Sequence, residues 1–164
     1  MTEAHREACR HLAKYYLSPI PAKADIVIVS QAGAPKDLNL YQTQKALDNA
    51  KHAVKDNGIV ILIGSCKEGF GNPVFEEWMN KYKHPQDMID ALYKSFVLGG
   101  HKAVAIAMVE KKAKIFLVSD LPDAVVQKTF LRPFHCLQDA YQEAVKELGP
   151  VPTVIAMPYG GSTL

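Results

Sequence analysis

The chain has 164 residues, enough for one domain with a buried core of its own. Hydrophobic residues make up 48% and charged residues 22%, which is typical of a globular protein and excludes a disordered one. The formal net charge of +2 is too small to indicate a nucleic-acid-binding protein. No apolar run is long enough to predict a transmembrane helix.

The first segment predicts a helix over Glu3–Tyr16, and its charged residues argue against a signal peptide. It ends at the connector Ser18-Pro19-Ile20-Pro21, whose prolines cannot continue a helix. We therefore expect residues 1–21 to be a helix and a connector that precede the domain. Residues 22–164 are expected to form an α/β domain.

Four apolar runs predict strands. Val and Ile follow one another in them almost without polar alternation, a pattern typical of a parallel sheet that is covered on both faces. The runs are Ala24–Ser30, Ile59–Gly64, Lys114–Ser119 and Thr153–Met157.

Segments with helical spacing of apolar residues separate these strands. They are Leu40–Lys55, Phe75–Tyr82, Gln86–Leu98, Lys102–Lys111, Asp123–Phe130 and Leu137–Leu148. Asp37 or Asn39 can cap the first of them. The alternation predicts a three-layer αβα sandwich with a mostly parallel, Rossmann-like sheet.

Loops rich in Gly, Pro and polar residues follow all four strands. They are 31–37, 65–72, 120–122 and 158–163. Ligands bind open parallel sheets beyond the carboxyl ends of the strands, so these loops predict a binding site at one edge. Plain turns use the same residue types, which is the structural alternative.

The segment after the first loop contains Tyr41, Gln42 and Lys45 at helical neighbour spacing. In the first turns of a helix the backbone N–H groups are unpaired and the dipole is positive. Together with the lysine charge, this arrangement predicts a site for a small carboxylate or phosphate. The alternative interpretation is a solvated Lys45 and a Tyr41 in the core.

A second candidate for lining the cleft is Gly99-Gly100-His101-Lys102. Two glycines before a helix let a ligand approach the backbone, and the two side chains after them can contact an anion. A flexible joint between two helices explains the same residues.

The sequence has few His and Cys residues at the spacing that metal ligands require. His5 and Cys9 are four residues apart, but no third ligand lies near them, so we predict no metal site in this chain. The cysteines Cys9, Cys66 and Cys136 show no CxxC spacing, which favours a reducing cytoplasmic location.

Several ordered motifs resemble the carboxyl-terminal domain of nickel-dependent lactate racemases, over essentially the whole chain. They are Ala24–Ser30, Pro35-Lys36-Asp37, Asn39–Gln42, Lys45-Ala46-Leu47, Cys66–Gly69, Phe75–Trp78, Gly99–Ala103, Val118–Leu121 and Met157–Thr163.

The resemblance implies an isomerase that interconverts the enantiomers of lactate or another 2-hydroxy acid. It implies a nickel-pincer nucleotide that takes a hydride from the substrate C2 and returns it. In that family the cofactor-binding and acid/base residues belong to an amino-terminal domain, and the active site lies between the domains. The resemblance thus implies that residues 1–21 are a helix and connector from the inter-domain region. We therefore expect no catalytic residue and no bound cofactor in this chain, and inactivity when it is alone.

The family motif Tyr-Gln-x-x-Lys matches Tyr41, Gln42 and Lys45, which implies that Gln42 and Lys45 hold the substrate carboxylate or hydroxyl. The family can also place an aromatic side chain over the cofactor after the Gly-Gly-His-Lys motif. Here that region reads Ala103-Val104-Ala105, so this contact is not expected.

Two other functions fit the residues without the resemblance. One is a stand-alone α/β module that binds a small carboxylate or phosphate. The other is a structural or oligomerisation domain with an inert cleft. Neither involves nucleic acid or a membrane.

Overall fold

The computed structural model describes residues 2–163. At its centre is a five-stranded parallel sheet with the strand order β4-β3-β2-β1-β5. The strands are β1 (Ala24–Ser30), β2 (Val54–Ile63), β3 (Lys114–Val118), β4 (Arg132–Phe134) and β5 (Val154–Met157). The predicted α/β class is confirmed.

Eight α-helices are present in the described residues. They are α1 (Thr2–Tyr16), α2 (Leu40–Thr43), α3 (Lys45–Ala53), α4 (Pro73–Lys81), α5 (Pro85–Lys94), α6 (Gly100–Glu110), α7 (Asp123–Val126) and α8 (Leu137–Leu148). A 3₁₀ turn, Gly160–Ser162, follows β5. The α1 helix buries none of its residues. Within residues 2–163, no helix has the length and apolarity to cross a membrane.

Two apolar cores lie on opposite faces of the sheet, which gives the predicted three layers. In β1, Val27 and Val29 belong to the larger core, whereas Ile26 belongs to the smaller one, as the two-residue period of a strand requires. Helices α3 to α6 contribute to the larger core. The α8 helix covers the smaller core with Ala140 and Ala144.

The strand β4 was not predicted, because residues 131–136, after the expected helix Asp123–Phe130, were assigned to no element. β4 has three residues, one of which is Pro133, so it carries no apolar run that a pattern could detect. It lies at the edge of the sheet, where a strand tolerates a proline because one side of its backbone has no partner.

The prediction of one helix over Leu40–Lys55 was wrong in two respects. The segment is divided at Gln44, and α3 ends at Ala53, after which Val54 begins β2. Asn57 has a φ of +62°, and the register between β1 and β2 shifts around it, which is the irregularity that the Asn57-Gly58 pair produces. The α5 and α7 helices are also shorter than predicted, ending at Lys94 and Val126.

Candidate functional site

A cavity of about 560 Å³ lies beyond the carboxyl ends of β1, β2 and β5. Three of the four loops that were expected to gather at this edge contribute to it; the loop after β3 does not. The lining residues are Gln31, Pro35, Lys36, Leu38, Asn39, Gln42, Lys45, Glu68, Gly161 and Ser162.

Gln42 and Lys45 both line this cavity. Asn39 caps α2, since its side-chain oxygen accepts a hydrogen bond from the Gln42 N–H at 3.1 Å. The Lys45 Nζ donates a hydrogen bond to the Gln42 Oε1 at 2.5 Å. The amide oxygen of Gln42 is therefore engaged, while Lys45 stays exposed and keeps donors for a ligand.

The expectation that unpaired backbone N–H groups would help to bind an anion here was wrong. The N–H of Leu40 donates to the Gly69 carbonyl at 3.0 Å, and that of Tyr41 donates to the Phe70 carbonyl at 3.1 Å. The loop after β2 thus supplies acceptors to the first turn of α2. The first turn of α2 therefore offers no free backbone N–H to an anion, and the Lys45 side chain is the donor that this segment presents to the cavity.

Tyr41 is half-buried and is not among the residues that line the cavity. Its ring packs edge-on against Phe75, with the ring centroids 5.5 Å apart. The Tyr41 ring thus packs against the larger core. A role for Tyr41 in binding a ligand stays a prediction.

The residues Gly99, Gly100, His101 and Lys102 also lie outside the cavity lining. Gly99 has a φ of +95°, which favours glycine, and a Cβ on Gly100 would lie 2.6 Å from the Trp78 ring. The His101 Nδ1 accepts a hydrogen bond from the Gly99 N–H at 3.1 Å. Local packing accounts for both glycines, and the predicted cleft-lining role stays a prediction.

Asp37 joins the loop after β1 to the loop after β2. The Ser65 N–H donates to the Asp37 Oδ2 at 3.0 Å, and the Cys66 N–H donates to the Asp37 carbonyl at 2.8 Å. Asp37 is buried, so these bonds are protected from water and fix one wall of the cavity.

Burial raises the pKa of the Cys66 thiol to about 11, so Cys66 stays protonated near neutral pH and is a poor nucleophile.

Sequence reasoning did not single out Gln31, Lys36, Glu68, Gly161 or Ser162 as site residues. They are far apart in the chain and meet because β1 lies between β2 and β5 in the sheet. All five lie in the loops 31–37, 65–72 and 158–163, which were expected to gather at this edge because each loop follows a predicted strand.

No group of three His, Cys, Asp or Glu side chains in residues 2–163 is placed to hold a metal ion. The His5 Nδ1 and Cys9 Sγ lie 3.8 Å apart on exposed α1. The donor set of a nickel centre is therefore not provided by this part of the chain.

Comparison with known proteins gives related sequences and a related structure. The family described as the lactate racemase C-terminal domain matches residues 20–164. The chain is 27% identical to lactate racemase from Thermoanaerobacterium thermosaccharolyticum, covering 99% of this chain and 39% of that protein. It is 25% identical to lactate racemase from Lactiplantibacillus plantarum, covering 98% of this chain and 39% of that protein.

The apoprotein structure of the Thermoanaerobacterium thermosaccharolyticum lactate racemase superposes with a TM-score of 0.87 over 98% of this chain and 40% of that one, at 27% identity. A protein from Thermotoga maritima shares the fold alone, with a TM-score of 0.67 and 14% identity over 99% of this chain and 41% of that one. The chain thus spans about 39% of the length of the curated relatives that it matches. On these grounds the chain belongs to the lactate racemase C-terminal domain family.

Proposed function

We propose that this chain is the substrate-side domain of a racemase or epimerase of lactate or another 2-hydroxy acid. The observation that carries the proposal is the cavity in which Lys45 presents an ammonium group beside the amide of Gln42. A 2-hydroxy acid carries a carboxylate, and an ammonium group with free donors suits that carboxylate.

The role of this domain is to bind and orient the substrate. Lys45 holds the carboxylate and so determines which substrate atoms face the opposite wall of the active site. A nickel-pincer nucleotide, held by residues of an amino-terminal domain outside this chain, would supply the chemistry of hydride removal and return at C2. We further propose that residues 1–21 belong to the inter-domain region; the family match, which begins at residue 20, supports this boundary.

The test is racemisation of L-lactate by a longer parent protein that carries the amino-terminal domain and the nickel-pincer nucleotide. The parent should form D-lactate, and Lys45→Ala in the parent should strongly reduce turnover. Lys94→Ala is the matched control, since Lys94 is also exposed and lies outside the cavity. Full activity of the Lys45→Ala parent would remove the carboxylate-binding role.

A second candidate is a stand-alone module for a small carboxylate or phosphate. It is favoured by Lys36 and Lys45, two lysines that line the cavity within this chain alone. Titration of the chain with inorganic phosphate and with lactate distinguishes the candidates. Tighter binding of phosphate than of lactate would favour the module.

A further inference from the structure

Two large apolar side chains, Phe96 and Leu98, are exposed in the turn between α5 and α6. Phe96 is 69% exposed and Leu98 is 75% exposed, and we refer to the two as the apolar pair. The α6 helix runs back to the amino end of β3, so its first residue, Gly100, lies toward the carboxyl edge of the sheet. The apolar pair thus lies at the edge that carries the candidate site.

One loop, 65–72, separates the apolar pair from the cavity. The turn that carries the pair packs against the end of this loop, because a Cβ on Gly99 would lie 2.9 Å from the Asn72 Oδ1. The same loop packs against the cavity wall, because a Cβ on Gly71 would lie 2.3 Å from the Asn39 Cγ, and Asn39 lines the cavity. The apolar pair therefore borders the candidate site without being part of it.

Local contacts hold this turn in place while its apolar side chains stay exposed. The His101 Nδ1 accepts a hydrogen bond from the Gly99 N–H at 3.1 Å, and the His101 N–H donates to the Val97 carbonyl at 3.2 Å. The Phe96 and His101 rings pack with their centroids 5.6 Å apart. A side chain that is already ordered loses little further conformational entropy on binding, so the apolar pair is suited to pack against another surface.

The position of that other surface follows from what the cavity lacks. Its lining includes no histidine, and residues 2–163 offer no set of three ligands for a metal ion. In the proposed function the groups that accept hydride and proton belong to an amino-terminal domain, which must cover the carboxyl edge to reach a substrate held by Lys45. The chain spans 39% of the curated relatives that it matches, which leaves the larger part of their length for such a domain.

We infer that the apolar pair is an interaction surface on which the amino-terminal domain of the parent protein packs when it covers the cavity. The inference rests on the proposed function, because the position of that domain is taken from a substrate bound at Lys45. Phe96 and Leu98 are positioning residues, which stabilise the closed arrangement of the two domains and do not touch the substrate. The surface that meets them is apolar, since burying apolar side chains is favourable when they pass from water into an apolar environment.

The first test measures amide hydrogen exchange by mass spectrometry of peptides that span the apolar pair. The backbone N–H groups of Phe96, Val97 and Leu98 donate to no backbone acceptor within residues 2–163, so they should exchange rapidly in the 164-residue chain. In the parent protein with saturating L-lactate they should exchange roughly tenfold more slowly, because the amino-terminal domain excludes water. Residues 149–151, before β5 at the opposite edge, are the internal control and should exchange equally in both proteins.

The second test removes the apolar side chains. In the parent protein, the double variant Phe96→Ser with Leu98→Ser should lower kcat/KM for L-lactate roughly tenfold. The same double variant of the 164-residue chain should keep its dissociation constant for L-lactate, whereas damage to the cavity would change both values. Val151→Ser is the matched control, since Val151 is 90% exposed at the amino edge of the sheet, and it should change neither value.

The outcomes distinguish this inference from the proposed function. In a parent that racemises lactate, equal exchange of residues 96–98 in parent and chain, or an unchanged kcat/KM in the double variant, overturns the inference alone. Protection of residues 96–98 in a parent that racemises no 2-hydroxy acid supports the interaction surface and overturns the proposed function. Neither protection nor racemisation overturns both.

A dilution series of the chain alone tests the choice of partner. Exchange of residues 96–98 should not depend on the concentration of the chain. Protection that appears as this concentration rises would assign the apolar pair to contact with a second copy, and it would overturn the amino-terminal domain as the partner.

Discussion

Gln42 and Lys45 form a hydrogen-bonded pair, and in the proposed function their contributions to binding a carboxylate are unequal. Lys45 carries the charge, whereas Gln42 is neutral and uses its Oε1 to accept from the Lys45 Nζ. Removal of the Gln42 side chain leaves the ammonium group in the cavity. It removes only a neutral hydrogen-bonding partner, which contributes about 1 kcal/mol to the free energy of binding.

We therefore expect Gln42→Ala to weaken lactate binding by the chain roughly twofold to tenfold, less than Lys45→Ala does. NMR titration of both variants measures this order. Gln138→Ala serves as the control for removal of an exposed amide. Equal loss in the two cavity variants would mean that Gln42 positions Lys45 instead of adding to its effect.

The site residues that the sequence predicted are those that a local pattern can bring together. Gln42 and Lys45 are three positions apart, so helical spacing alone makes them neighbours, and they stay in contact although Gln44 divides the helix. Gln31 and Gly161 meet only because β1 and β5 are adjacent strands. Their contact depends on strand order, which spacing along the chain does not encode.

At the level of elements, β1, β2 and β3 were predictable because their apolar runs are buried on both faces of the sheet. The ends of the helices were less predictable, since tertiary contacts decide them. Gln44 is a fully buried polar residue at the break between α2 and α3, a position that its polarity would not suggest. Strand pairing with β1 takes Val54 and Lys55 into β2, although helical spacing continues through them.

The central position of β2 makes its side chains sensitive to truncation. Ile61 is fully buried in the smaller core and pairs with Ile28 on one side and Phe116 on the other. Ile61→Ala should lower the free energy of unfolding by roughly 2–5 kcal/mol, because it leaves a cavity in a packed region. Urea denaturation measures the loss, and Ile20→Ala, in the connector and 41% exposed, should change little.

Glu110 connects the end of α6 to the start of β3, and its Oε2 accepts a hydrogen bond from the Ile115 N–H at 2.9 Å. Burial raises the pKa of its carboxyl from 4.5 to about 8. At a pH between these two pKa values, the Glu110 carboxyl keeps its proton in the folded chain and releases it in the unfolded chain. The free energy of unfolding therefore falls as pH rises from about 4.5 to 8, by roughly 1 kcal/mol per pH unit at most.

Glu110→Gln should remove this dependence while keeping an acceptor for the Ile115 N–H. In urea denaturation at pH 5, 6, 7 and 8, the stability of the variant relative to wild type should rise steadily with pH. The matched control is Glu77→Gln, which neutralises an exposed carboxylate on α4. Parallel pH profiles for wild type and Glu110→Gln would contradict a buried, protonated Glu110.

For the molecule as a whole, binding and chemistry should be separable. The cavity has side chains that suit a carboxylate, but its lining includes no histidine, and residues 2–163 offer no set of three ligands for a metal ion. Breaking the bond at C2 of a 2-hydroxy acid needs groups that accept a hydride and a proton, and our proposal places these groups in an amino-terminal domain outside this chain.

The 164-residue chain should therefore bind L-lactate without racemising it. A chiral assay for D-lactate checks this, with the chain incubated with L-lactate and the nickel-pincer nucleotide, beside the loaded parent protein under the same conditions. We expect D-lactate from the parent and only background from the chain, because an oriented substrate without a hydride acceptor does not react. Turnover by the chain alone would mean that its own residues complete an active site.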